Sequence, residues 1–302
     1  MFERKIALLI ALSLASVRVA AQPDPSQVTI KITPLAAGVY MLQGSGGNIA
    51  ISVGNDDVFM IDDQYAPLTP KIKAAIATIT PKPVRFLLNT HWHGDHTGGN
   101  ENMAGSGAII VAQDNTRTRM SKEQFIAAFN QKVPPSPAAA LPIVTFSESL
   151  SLFLNGDSVR AVHVKNAHTD GDVIVTFPAA NVMHMGDTFF NGMYPLVDVS
   201  TGGSIDGIIA AVDKALAITN ANTKYIPGHG SLGTRADLVA YQNMTKTIRS
   251  RVAGLISQKK TLDQIVAAKP TADFDAKWGG GFLKPEVFVG ILYADLSRKP
   301  SR

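Results

Sequence analysis

An α/β fold built on stacked sheets follows from three features of this 302-residue sequence. Short runs rich in valine, isoleucine and phenylalanine alternate with amphipathic segments of helical period. Glycine- and asparagine-containing turns separate the first of those runs, which marks an antiparallel meander. Four times, an apolar strand then ends in a polar loop carrying histidine or aspartate. That recurrence gathers the chemistry-bearing side chains along one edge of the sheet core, where loops hold function on a rigid scaffold.

The chain opens on a segment that is not expected to join the fold. Arg4 and Lys5 form a positive start, residues 6–14 a short apolar core and Val19-Ala20-Ala21 a small-residue cleavage site. Residues 1–21 are thus read as a signal peptide, and residues 22–302 as a single domain. The apolar run is too short to span a bilayer, and no later stretch reaches the ~20 residues required. No stable membrane insertion is expected after signal removal, and a periplasmic or secreted location follows. Cysteine is absent, which excludes lipid attachment, disulfides and thiolate ligands and leaves histidine and carboxylate chemistry. The formal charge is +4, and half of it sits in the leader, where Arg4, Lys5 and Arg18 outweigh Glu3. The basic residues form no dense patch, so nucleic acid is not an expected partner.

The first strands are expected over residues 28–32, 39–42, 48–53 and 58–61, the last of them ending at Asp62 and Asp63. A helix over residues 68–80 follows, with Ile72, Ile76 and Ile79 at helical spacing and Pro81 and Pro83 as its stop. Strands over residues 84–88 and 108–112 come next, and residues 114–130 read as a helix with Phe125, Ile126 and Phe129 on one face. Residues 134–142, rich in proline and alanine, form either a plain connection or a flap over the site. Asn155-Gly156 is a hairpin turn leading into an alternating strand over residues 159–164. Ser204 caps a helix over residues 205–218. A further helix spans about residues 236–257, and the tail from Thr261 is helical with a break at residues 278–281.

The apolar strand over residues 84–88 empties into Asn89-Thr90-His91-Trp92-His93-Gly94-Asp95-His96. Four potential metal ligands stand within six positions. Neutral imidazoles so close crowd one another and protonated ones repel, unless a cation holds them; imidazole with carboxylate suits a borderline divalent ion such as zinc. His91 and His93 alternate as on an extended segment and can face one ion, while Asp95 and His96 follow at a turn and can reach a second. The later strand ends supply His168, Asp187 and His229. His163 lies inside a strand and reads as structural. His184 is either packed or hydrogen-bonded to a ligand. Asp62 can accept a ligand's spare imidazole N–H.

On the motif His91-x-His93-x-Asp95-His96 followed by His168, Asp187 and Pro227-Gly228-His229-Gly230, the chain resembles the metallo-β-lactamase superfamily. The resemblance implies a four-layer αββα sandwich with two zinc ions per chain, other divalent metals being possible. By that likeness His91, His93 and His168 hold one ion, Asp95, His96 and His229 the other, and Asp187 bridges them beside a shared hydroxide. The likeness is mixed in its branches. The Asn-Thr-His and His-Thr-Asp-Gly-Asp segments resemble class B1 β-lactamases, which carry cysteine where Asp187 stands and usually a lysine where Phe190 stands. Asp187 and His96 are instead similar to the glyoxalase II, lactonase and B3-like branches.

Such a site predicts a secreted dizinc hydrolase acting on a small-molecule acyl substrate. A metal-bound hydroxide attacks the acyl carbon, with Asp95 and Asp187 as the catalytic carboxylates. Opening of a cyclic amide is the first expectation; a lactonase, thioesterase or other esterase is the alternative, and a non-catalytic metal-binding protein a third. No Gly-x-Ser-x-Gly occurs to support a serine hydrolase. Phe189, Phe190, Met193 and Tyr194 follow Asp187 and are either a substrate wall or core.

Overall fold

The computed structural model describes residues 24–298. The segment read as a signal peptide and the expected mature start near Gln22 lie outside the described residues. Seven strands make the first sheet, in the order Lys31–Ala36, Val39–Gln43, Ile49–Val53, Val58–Ile61, Val84–Asn89, Ile109–Gln113 and Val144–Phe146. The first four are antiparallel, and each later neighbour is parallel. The second sheet runs Ser149–Leu154, Asp157–His163, Val173–Phe177, Val182–His184 and Lys224–Ile226, antiparallel except for its last pair.

Parallel neighbours need crossover connections. Helix Thr69–Ala77 makes the crossover between Val58–Ile61 and Val84–Asn89, and helix Ile205–Ile218 the one between Val182–His184 and Lys224–Ile226. Each crossover returns the chain to its start, so the paired strands finish on one edge. Asp62, His91, Asp187 and His229 all leave the sheets there. The edges of the two sheets are tied by Val173 N donating to Thr90 O at 2.9 Å.

Three cores define four layers. Between the sheets lie Met41, Phe59, Leu88 and Val111 of the first and Val159, Val175, Phe177 and Ile226 of the second. Phe59 and Phe177 meet there with ring centroids 6.2 Å apart. The outer face of the first sheet (Leu42, Ile51, Met60, Leu87) is covered by Leu68, Ile72 and Ile76. The outer face of the second (Ile174, Met183, Tyr225) is covered by helices Ile205–Ile218, Arg235–Ser257 and Pro285–Leu296. The αββα sandwich is therefore the observed architecture. Among the described residues no helix is long and apolar enough to cross a membrane.

Three local expectations need correction. Residues 114–130 are not one helix: helix Asp114–Met120 stops, and Gln124–Ile126 pairs antiparallel with Gln131–Val133 as a hairpin. Gln124 Nε2 donates to the carbonyls of Arg119 and Lys122, which satisfies helix-end acceptors and diverts the chain. Phe125 then faces solvent while Ile126 is buried, as neighbours on a strand alternate. The first strand is Lys31–Ala36 rather than residues 28–32. Its partner is reached through Ala37 and Gly38, both with positive φ (45° and 76°), a tight turn without the usual Asn-Gly signature. The helix expected over residues 68–80 is shorter, Thr69–Ala77. As for residues 134–142, Ser136 N bonds Met120 O, Asn100 Nδ2 bonds Ala140 O, and Leu141 packs on the cluster around Trp92. The stretch is a pinned connection.

Candidate metal centre

Two groups of side chains meet at the shared sheet edge. His91, His93, His168 and Asp187 form one, and Asp95, His96 and His229 the other; within each group the potential ligand atoms lie within 4.8 Å of one another. These are the seven residues expected from the sequence. Asp187 joins the two groups. Its Oδ2 lies 3.4 Å from His168 Nε2 and 3.8 Å from His91 Nε2, while its Oδ1 lies 3.1 Å from His96 Nε2 and 3.5 Å from His229 Nε2. One oxygen faces each group.

The neighbours of these imidazoles decide which nitrogen is left bare. Thr90 gives its hydroxyl proton to Asp62 Oδ2 (2.7 Å), so its oxygen accepts from His91 Nδ1 at 3.1 Å. His168 Nδ1 donates to Leu196 O at 2.8 Å, His93 Nε2 to Asp198 Oδ2 at 3.1 Å and His96 Nδ1 to Asp62 Oδ2 at 2.7 Å. Four rings are thereby turned with their other nitrogen toward the centre, where it can bind an ion once any proton there is displaced. Without a cation, His93 Nδ1 and His168 Nε2 would bring lone pairs together at 2.8 Å. Buried His91 Nε2 and Asp187 Oδ1 find no hydrogen-bond partner. Buried polar atoms are nearly always satisfied, and a donor set of imidazoles and carboxylates is what a pair of divalent ions satisfies. The residues present fit a dimetal site.

Protons compete for the same places. Burial pushes His91 well below the ordinary histidine value and His168 down to about 4. Burial also opposes charge on His96 and His229, but Asp187 and Asp95 outweigh it, pushing His96 well up and His229 up to about 9. Conversely, burial works against a charged Asp187, yet His229, His96, His168 and His91 hold it well below the carboxylate range. Access is equally lopsided. His91, His96 and His168 are fully buried, whereas the side chains of Asp95 and His229 are 21% and 19% exposed. The site opens past those two.

The backbone is shaped around this cluster. Asp62 adopts φ 59°, an uncommon conformation for a non-glycine residue, with its carboxylate on Thr90 N, Thr90 Oγ1 and His96 Nδ1. A Cβ on Gly228 would overlap Asp187 Oδ1, and one on Gly47 would overlap the His96 ring. Glycine is therefore needed where the backbone meets these ligands.

Of the other residues singled out, His163 lies outside the cluster and its Nε2 contacts Asp170 O at 3.0 Å. His184 spans Asn48 O and Gly186 N, which seats the loop before Asp187 but touches no ligand ring. Phe189 and Tyr194 are fully buried in the core under the second sheet and line no opening. Phe190 is buried too, but its ring stacks on His229, with centroids 5.2 Å apart and planes at 15°. Sequence reasoning missed Asp198 and Thr90. Asp198 also caps the turn Val199–Thr201, a local Asx pattern visible in sequence, but its bond to His93 spans 105 positions and leaves no local trace.

The profile of the family described as Metallo-beta-lactamase superfamily matches residues 39–229. Over 215 residues the chain is 22% identical to the Metallo-beta-lactamase type 2 of Bacteroides fragilis, covering 68% of this chain and 80% of that one. Over 151 residues it is 30% identical to a hydroxyacylglutathione hydrolase of Nitrosococcus oceani, covering 47% of each. Among solved structures, a metallo-beta-lactamase from Pontibacter korlensis matches with a TM-score of 0.60 at 19% identity, over 72% of this chain and 99% of that one. That last likeness is one of fold.

Proposed function

The chain belongs to the metallo-beta-lactamase superfamily, and we propose that it is a dizinc enzyme that hydrolyses an acyl bond of a small molecule. It is a metal-dependent hydrolase. The observation that carries the proposal is the division of Asp187, one oxygen toward each ligand group, with His91 Nε2 and Asp187 Oδ1 otherwise unsatisfied in the interior. His91, His93 and His168 would hold one ion, Asp95, His96 and His229 the other, and Asp187 both.

When bound, such ions supply Lewis acidity toward a carbonyl oxygen and bring the pKa of water to about 7. The protein's own groups do the rest. Asp187 fixes the spacing of the two halves. Asp62, Asp198, Leu196 O and Thr90 hold the imidazoles in single tautomers, so no reorganisation is needed during the reaction. The closed side, made by His91, His93 and His168, excludes water. Substrate therefore approaches past Asp95 and His229, and Asp95 is placed to orient the attacking water and accept its proton.

Opening of a cyclic amide, β-lactams included, is the first substrate reading, supported by the likeness to the Bacteroides fragilis protein. A lactone, thioester or other ester is the second. It is favoured by Asp187 in place of a thiolate and by Phe190, stacked on His229 where a substrate-gripping lysine would otherwise stand. Residues 1–21 are proposed to direct export, which N-terminal sequencing of the mature protein would test. The central experiment assays metal-loaded protein with a chromogenic cephalosporin, an acyl-homoserine lactone and a thioester, each with and without chelator. At least one should be hydrolysed, with activity lost on chelation and restored by zinc. Active protein free of transition metal would overturn the proposal.

A further inference from the structure

The accessible side of the centre is bordered by aromatic rings from three separate segments. Phe190 stacks on His229. Phe282, from the tail, lies with its ring centroid 6.0 Å from Phe190 and 6.1 Å from His229. Phe129, from the connection inside the 124–133 hairpin, lies 6.5 Å from Phe282. Phe190 is fully buried and Phe129 partly so, but Phe282 is 45% exposed. The run of rings thus begins on a ligand histidine and ends at solvent.

Phe282 is held out rather than left loose. On one side Trp278 is buried, its carbonyl accepting from Tyr194 N at 3.1 Å; on the other Leu283 is buried in the same core. Gly281 lies so close to Met193 that an added Cβ would stand 2.6 Å from Met193 Cβ. The backbone is pinned immediately before and after an exposed aromatic side chain. A lone exposed apolar residue is ordinary; one clamped beside the open ligands of a reactive centre is placed to meet a ligand.

The rings of this wall carry no stacked cation among the described residues. Among the described residues, Arg85, Arg251 and Lys277 lie over aromatic rings, and those rings are Phe86, Phe274 and Trp278, none of them in this wall. Among the described residues no lysine or arginine pairs with Asp95 or Asp187, whose ion-pair partners are all histidines.

We propose that Phe282, with Phe190 and Phe129 behind it, is a specificity-determining residue that receives an apolar, preferably aryl, substituent of the substrate. This rests on the hydrolase reading above and narrows its substrate class: the group flanking the scissile acyl bond on the His229 side is uncharged and hydrophobic.

The test uses two thiols with the same metal-seeking group, 2-phenylethanethiol and 3-mercaptopropionate, titrated calorimetrically into zinc-loaded full-length protein. Hydrolysis of p-nitrophenyl acetate and p-nitrophenyl phenylacetate runs alongside. Wild type should bind the phenyl thiol roughly tenfold more tightly and show a similar preference for the phenylacetate in kcat/KM. Phe282→Ala should remove most of that preference in both readouts while leaving metal content and p-nitrophenyl acetate turnover near wild type. Phe282→Leu should retain part of it, and Phe282→Lys should shift preference toward the carboxylate. Equal binding of the two thiols by wild type, or selectivity unchanged in Phe282→Ala, would overturn the assignment. A protein that takes up no metal and hydrolyses neither ester would instead overturn the hydrolase reading, and this inference with it.

Discussion

His96 donates its Nδ1 proton to Asp62 Oδ2 across 2.7 Å, and the same carboxylate holds Thr90, on which His91 Nδ1 rests. One buried aspartate therefore orients an imidazole in each ligand group. Its removal acts directly on His96 and through one hydroxyl on His91. Asp62→Ala should weaken the ion held by His96 by roughly 10–100-fold, the usual consequence of losing such a partner, and the other ion by less. Zinc titration against a competing chelator would show it, as two dissociation constants that move unequally. Equal weakening of both would mean that Asp62 acts on the loop as a whole.

Much of this was legible because it is local. His91, His93, Asp95 and His96 fall within six positions at a strand end, and His168, Asp187 and His229 repeat that context. Strand periodicity and the Asn155-Gly156 turn likewise reflect near-neighbour physics. What stayed hidden depends on distant contacts. Asp198 reaches His93 across 105 positions, and Phe282 meets Phe190 and His229 only because the tail folds back. The hairpin at 124–133 was masked by apolar residues that fit a helical stripe as well as an alternating strand; the Gln124 bonds to Arg119 O and Lys122 O decide between them.

Asp187 offers the plainest substitution. Asparagine has nearly the same shape but one acceptor oxygen, so it can serve one ligand group and must turn an amide N–H toward the other. Asp187→Asn should fold, bind about one metal ion per chain tightly and lose most turnover, on the order of a hundredfold or more. Elemental analysis after gel filtration, paired with initial rates, would check it. Two tightly held ions at wild-type affinity would show that the shared carboxylate is not what couples the two positions.

Metal binding should release protons unevenly. In the metal-free protein His229 is raised to about 9 and His96 well up, while His168 is lowered to about 4 and His91 well down. A raised group carries its proton until the pH passes its raised value, so at pH 7 an ion entering beside His229 and His96 must displace protons. The other ion meets no such proton on His91 or His168. Affinity for the former should therefore fall as pH drops below about 9, by up to roughly tenfold per unit for each proton displaced. Affinity at the latter should fall less steeply over the same range, because burial already keeps His91 and His168 unprotonated. Calorimetric titration in two buffers of different ionisation enthalpy separates the contributions: one binding step should depend on buffer more strongly than the other. Equal proton release in both steps would contradict the assignment.

Gly228 tests how closely the backbone must approach the shared carboxylate. Its carbonyl accepts from Asn48 N at 2.7 Å, and its own N donates to Gly186 O at 2.7 Å, so the residue is locked against both sides of the centre. An alanine Cβ here would overlap Asp187 Oδ1 and crowd the Gly186 carbonyl. Because the locked backbone cannot retreat, the carboxylate is what must move, and a shift near 1 Å in a catalytic group can cost about a hundredfold in rate. Gly228→Ala should thus lower kcat by about that factor and loosen at least one ion. Circular dichroism should stay close to wild type, since the contact lies at a loop rather than within a sheet. Gly94→Ala is the matched control, as a Cβ there meets nothing within 4 Å although the residue sits between His93 and Asp95. It should leave rate and metal content nearly unchanged. Comparable losses in both variants would place the effect in general loop stiffness; a loss confined to Gly228→Ala would locate it in the space that Asp187 needs to face both ligand groups.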